Sequence, residues 1–254
     1  MSDALSIVST GLTSSALYIN NIANDLANLN TQNYKATRLS FENMVSTPSK
    51  PSQHGKTHAT GLGTAITHTA IDFSTGPLKP TTNWNDVAID GKGFFQVITT
   101  DGNIAYTRNS SLSIDSEGYL STQEGLRLND MIQIPDDAND IQIDKNGDVI
   151  VLREDKTTPE LIGSLKLVNC LNPDSLKPLG QGLYIPSEKT GDMVTDVPGS
   201  SGLGLLLQKQ VEGSNVDMVS SLMQLTLAQR IYQLNAKAAQ IADEMEKMAN
   251  ELQS

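Results

Sequence analysis

Apolar residues recur every three or four positions at the two ends of the chain and every second position in its middle, so the pattern alone separates helical ends from a β-rich centre. From residue 5 to 29 they fall at Leu5, Val8, Leu12, Ile19, Ile22, Leu26 and Leu29, an a/d heptad with one gap at Ser15. This spacing predicts a helix about 37 Å long with a coiled-coil seam. Ala16 and Ala23 widen the stripe, while Thr13, Ser14, Asn20, Asn21, Asn24 and Asn28 fill much of the other side with uncharged polar groups. Such a face desolvates at lower cost than one of Lys and Glu, so the helix is expected to be covered on more than one side. The plainer reading is an ordinary amphipathic helix.

A second seam at the far end is unbroken: Leu227, Ile231, Leu234, Ala238, Ile241, Met245, Met248 and Leu252 keep strict a/d register. Upstream, Met218, Leu222 and Leu225 form a stripe two positions out of phase, so apolar groups spread around that part of the helix and call for more than one neighbour. Ser214, Asn215 or Asp217 can cap its start, and a span from 216 to 252 is about 55 Å long.

Between these ends, residues 46–84 intersperse Pro48, Pro51, Gly55, Gly61, Gly63, Gly76, Pro77 and Pro80 with Ser, Thr and His, which excludes helix and predicts an extended arm or hairpin. Residues 85–210 are short alternating runs broken by turn dipeptides. Phe94 to Ile98 leads through Asp101-Gly102 to Ile104 to Thr107, and Ile141 to Ile143 leads through Asn146-Gly147 to Val149 to Leu152; both predict hairpins. Gly118 divides Leu112 to Asp115 from Tyr119-Leu120 in the same way. The expected fold is therefore α+β. Its N- and C-terminal helices, in residues 1–45 (the first helix and the segment that follows it) and 211–254, form a coiled-coil layer, with an extended arm and a β-rich middle domain between them in sequence.

Composition narrows the function. Aromatics make up only 4% of 254 residues, which suits an extended molecule with a modest core, and the net charge of -11 opposes binding to nucleic acid or anionic lipid. Cys170 stands alone and reads as a small packing residue. The first residues lack the basic stretch of a cleavable signal peptide. His54, His58 and His68 all lie in the arm, and Gly55 between the first two argues against a helical metal pair. Asp144-Lys145-Asn146-Gly147-Asp148 lacks the calcium-loop spacing and closing Glu, so a hairpin turn accounts for it better, as it does for Asp136, Asp137 and Asp140. Gly91-Lys92-Gly93 lacks a Walker ending. No cofactor, metal or small-molecule substrate is expected.

Particular blocks are distinctive. Ile22 to Lys35 contains Asn24, Leu26, Ala27, Asn28, Thr31, Tyr34 and Lys35; Asp86 to Val97 contains Gly91, Gly93, Phe94 and Phe95 and is followed by Tyr106-Thr107-Arg108. Glu212-Gly213-Ser214-Asn215-Val216 and the run Gln229, Arg230, Asn235 and Lys237 complete the set. In this order they resemble the signatures of the flagellar basal-body rod and hook protein family. The length and the Gly/Pro/Thr-rich arm look most like its distal rod branch, with the proximal rod as sibling alternative. Asn33 stands where the family usually has Gly, and Ser220 and Ser221 stand where acids are common. Asn is the residue type next best suited to a positive φ.

The resemblance implies a structural subunit, not an enzyme. Export through the flagellar type III apparatus follows from it, as does self-assembly in the periplasm into a hollow helical drive shaft. That shaft meets proximal rod proteins below and hook protein above, and turns inside basal-body rings where the cell has them. The seam residues Leu5, Val8, Leu12, Ile19, Ile22, Leu26, Leu29, Leu227, Ile231, Leu234, Ala238, Ile241, Met245 and Met248 are the expected assembly interface. A secreted β-domain binding module oligomerised by coiled coil is the reading from another class.

Overall fold

A computed structural model describes residues 2–46, 60–153 and 158–251. Two compact units divide the chain: Met1–Ala27, Thr37–Ala70 and Asp217–Ser254 make one, and Asn28–Ala36 with Ile71–Val216 make the other.

In the first unit, helix α1 spans Ser2–Ala27 and helix α2 spans Met218–Glu251. Asp217 sets the start of α2, because its carboxylate accepts the amides of Val219 at 3.2 Å and Ser220 at 3.4 Å, two of the donors that a first turn leaves without partners. The helices pack antiparallel: Asn235 Nδ2 donates to Ser15 Oγ at 3.4 Å, and Tyr18 OH donates to Gln224 Oε1 at 3.2 Å.

The expected coiled-coil layer does not form. What α2 turns toward α1 is the run Ser221, Leu225, Ala228, Asn235, Ala239 and Ala242, half-buried or, at Ala228, fully buried. Leu227, Ile231, Leu234, Ala238, Ile241, Met245 and Met248 face solvent; Leu234 is 67% and Leu227 58% exposed. The two runs share one heptad spacing and differ by a single residue, which is about 100° around a helix. The physical reason for the choice is room. Gly11 of α1 lies so close to Asn235 that a Cβ there would come within 3.2 Å of its Nδ2, and a Leu or Ile seam does not fit so narrow a gap.

Strands Thr37–Ser46 and Thr60–Ile71 pair as a two-stranded ribbon beside α1. The uncharged polar side of α1 meets it. Thr10 Oγ1 accepts the Thr64 amide at 3.3 Å, Ser14 Oγ donates to the Thr64 carbonyl at 3.4 Å, and Asn21 Nδ2 donates to the Thr37 carbonyl at 2.7 Å. Phe41 meets the Tyr18 ring edge to face, 5.7 Å between centroids. α1 is thus flanked by α2 and by the ribbon, which leaves Leu5, Val8, Leu12, Ile19 and Leu26 half-buried and Ile22 buried; Leu29 lies past the end of α1, half-buried in the second unit. His68 is exposed on the second strand; His54 and His58, with their expected solvated loop, lie outside the described residues.

The second unit is built of short antiparallel pairings. Four strands order as Lys177–Gly180, Leu183–Ile185, Ile104–Thr107 and Phe95–Ile98, and three as Glu160–Ser164, Asp148–Arg153 and Ala138–Ile143. The three hairpins expected at Gly102, Gly118 and Gly147 are present, each glycine holding a φ between 79° and 92°. The core gathers alternate residues of these strands and of the antiparallel pair Val87–Asp90 and Leu205–Gln208, among them Val87, Ile89, Phe95, Val97, Leu112, Leu120 and Leu206. A smaller cluster holds Phe94, Tyr106, Val168, Cys170 and Tyr184 with Phe73 against it. Phe94 and Phe95 enter different clusters because adjacent residues of extended chain point to opposite faces.

Candidate functional site

Three charged side chains from remote parts of the sequence meet inside the second unit. Lys35, Arg108 and Glu212 are all at least 96% buried, which for charged residues requires mutual pairing. Lys35 Nζ donates to Glu212 Oε1 at 2.6 Å and Arg108 Nε donates to Oε2 at 3.0 Å. The Gly76 amide adds a third donor to Oε1 at 2.8 Å. Burial pushes the Lys35 ammonium below its ordinary value, nearby Arg108 adds to this, and Glu212 pulls it back.

The chain bends to supply the remaining acceptors. Gly91 and Gly93 take φ values of 125° and 131°, which glycine alone tolerates, and the bend aims carbonyls at Arg108. Its Nη1 donates to Gly93 O at 3.1 Å, and Nη2 donates to Gly91 O at 3.0 Å and Ile89 O at 3.3 Å. Lys35 Nζ also donates to Ser74 O at 2.7 Å.

Around this trio the incoming segment 28–36 and the outgoing segment 210–216 are sewn together. Asn33 holds a φ of 59°, the left-handed backbone expected where a glycine is usual, and its amide donates to Glu212 O at 2.9 Å. Asn215 Oδ1 accepts the Ala36 amide at 2.8 Å, while its Nδ2 donates to Asp72 O at 2.7 Å. Ser214 Oγ accepts the Val216 amide at 3.3 Å. Of the other signature residues, Thr31 Oγ1 bonds Asn28 Oδ1 at 3.0 Å and Tyr34 is half-buried. Asn24 and Ala27 are exposed near the end of α1; Gln229, Arg230 and Lys237 are exposed on α2. The sequence blocks thus contained these residues without revealing that Lys35, Arg108 and Glu212 meet; their only signal was charge embedded in runs that otherwise read as strand or turn.

Chemically this is a clasp. Glu212 spends its oxygens on Lys35, Arg108 and a backbone amide, so it faces partners instead of a cleft. A cavity of about 810 Å³ beside Phe73, Phe94 and Cys170 has no histidine in its wall, and burial pushes the Cys170 thiol up, away from the reactive thiolate. Among the described residues no cluster of three or more His, Cys, Asp or Glu is placed to hold a metal ion, and no helix is long and apolar enough to cross a membrane.

Residues 88–151 match the family described as the flagellar hook protein FlgE/F/G D1 domain, and residues 207–252 match the flagellar basal body rod FlgEFG protein C-terminal family. The flagellar basal-body rod protein FlgG of Buchnera aphidicola subsp. Baizongia pistaciae is 38% identical over 253 residues, covering 96% of this chain and 97% of that one. FlgG of Borreliella burgdorferi is 33% identical over 262 residues, 99% of each chain. The flagellar basal-body rod protein FlgF of Caulobacter vibrioides is 28% identical over 234 residues, 91% of this chain and 89% of that one. With such likeness along nearly its whole length, the chain belongs to the flagellar basal-body rod protein family and is most like its FlgG members.

Proposed function

We propose that this chain is a structural, non-enzymatic subunit of the distal flagellar rod that polymerises by offering the outward face of α2 to neighbouring copies. The observation that carries this reading is the run Leu227, Ile231, Leu234, Ala238, Ile241, Met245 and Met248, in unbroken heptad spacing and exposed. Full burial of a Leu or Ile is worth roughly 1.5–3 kcal/mol, so a stripe of this length in water is a strong drive toward association. A contact between unlike surfaces that does not close on itself propagates into a helical tube. The half-buried apolar residues of α1, Leu5, Val8, Leu12, Ile19 and Leu26, contribute at the margins of that contact, with buried Ile22 and, beyond the helix, Leu29 supporting them. The greater identity to FlgG than to FlgF supports the distal over the proximal position.

In this reading the chain leaves the cell interior through the flagellar type III apparatus and assembles in the periplasm. There it joins proximal rod proteins, hook protein and any surrounding basal-body rings, and transmits torque. Ile231→Asp tests it: the folded monomer is expected to survive, while filaments in negative stain and motility on complementation are lost. Normal rods in that variant contradict the proposal. A secreted binding module predicts instead a small closed oligomer, which sedimentation separates from a filament.

A further inference from the structure

α2 carries two interleaved heptad runs about 100° apart, one apolar throughout and one mostly of small and polar residues with Leu225 among them, and only one of them can face α1 at a time. The apolar run would gain more by being covered, yet it is the one left outside. We infer that Asn235, seated against Gly11 and Ser15, is a rotational lock that holds α2 with its apolar face presented to the next copy; this rests on the assembly reading above.

Three features meet at that point. Gly11 offers no side chain, and a Cβ in its place would come within 3.2 Å of Asn235 Nδ2, so the helices approach closely there. Asn235 Nδ2 donates to Ser15 Oγ at 3.4 Å, which with the bond from Tyr18 OH to Gln224 Oε1 ties α2 to α1. Ala228, two turns earlier on the same face, is 1% exposed, which extends the narrow contact along the helix. A single polar residue in a helix pair specifies register and orientation because any other arrangement leaves it without its partner. The larger side chains of Ile231, Leu234 and Ile241 are excluded from the same gap by its width.

Asn235 is a positioning residue, and its role has a readout separate from polymerisation. In full-length monomer with Cys170→Ala, single cysteines are introduced as Ala238→Cys on the apolar run or Ala239→Cys on the run facing α1, and alkylation is timed below the assembly concentration. Position 238 is expected to react about tenfold faster than 239. Adding Asn235→Leu is expected to reverse or abolish that difference, whereas Asn235→Ser, which keeps a small hydrogen-bonding group, is expected to retain it. Trp84 fluorescence checks that the second unit remains folded in each variant. Equal rates at 238 and 239 without a change at 235, or a difference untouched by Asn235→Leu, overturns the lock. Failure of Ile231→Asp to block filaments, with the labelling difference intact, overturns the assembly reading and leaves the lock standing.

Discussion

Replacing Glu212 by Gln tests the clasp with almost no change of shape. The wild-type trio holds two cations and one anion, all at least 96% buried, so it already carries one positive charge in excess. Glu212→Gln removes the trio's own negative charge and leaves Lys35 and Arg108 facing each other, with backbone carbonyls and the weaker pull of Asp72 on Lys35 for company. Breaking a buried pair in this way costs about 3–5 kcal/mol, most of it the desolvation of charges left without a counter-ion. Lys35→Met should cost less, about 1–2 kcal/mol, because Glu212 keeps Arg108 and the Gly76 amide while the group that burial and Arg108 already disfavour is gone. The double variant should then be less damaged than the sum of the two. Trp84, the single tryptophan, packs against the core of the second unit and reports its unfolding in urea. With a slope of about 2 kcal/mol per molar, Glu212→Gln should lower the midpoint by about 2 M. A Glu212→Gln protein within about 1 kcal/mol of wild type, or one less affected than Lys35→Met, would refute the reasoning.

Two further outcomes are expected. Asp217→Ala removes the cap of α2 and should destabilise that helix by about 1 kcal/mol, seen as an earlier loss of far-ultraviolet helical signal while the Trp84 transition stays in place. Asp115 gives a pH dependence: partial desolvation pushes its carboxyl up, but the Tyr119 and Glu117 amides and the Arg127 guanidinium outweigh this and hold it below the ordinary value of 3.8. The unfolded chain therefore binds more protons in that window, so the contribution of Asp115 is present above the ordinary value and lost as pH falls through the lowered one. Comparing wild type with Asp115→Asn in urea titrations from about pH 6 to about pH 2.5, the gap should close on the acid side. A gap that widens there would contradict the assignment.

What the sequence made legible was local. The hairpins at Asp101-Gly102, Gly118 and Asn146-Gly147 follow from turn chemistry contained in a few residues, and both helices follow from periodicity. The left-handed backbone at Asn33 could be expected from its residue type. The face of α2 could not, because hydrophobic periodicity marks the greasy run and is blind to Ser221, Ala228 and Ala239, which are small, and to Asn235, which sits beside Gly11. Equally hidden was the meeting of Lys35 with Glu212, 177 positions apart, since no local rule links two charges at that distance. The signature blocks marked where such residues stand, and only the folded backbone shows why they stand there.

The clasp also decides where this β unit begins. A recombinant fragment started after the ribbon would include Glu212 and Arg108 but omit Lys35, the Asn33 amide that bonds Glu212 O and the Ala36 amide that Asn215 receives. Its cut edge would be an open seam through a charged interior. An excised version has to carry residues 28–36 as a grafted leading segment, and tension applied to either crossing would be shared by both through Lys35 and Glu212 before any core strand is pulled.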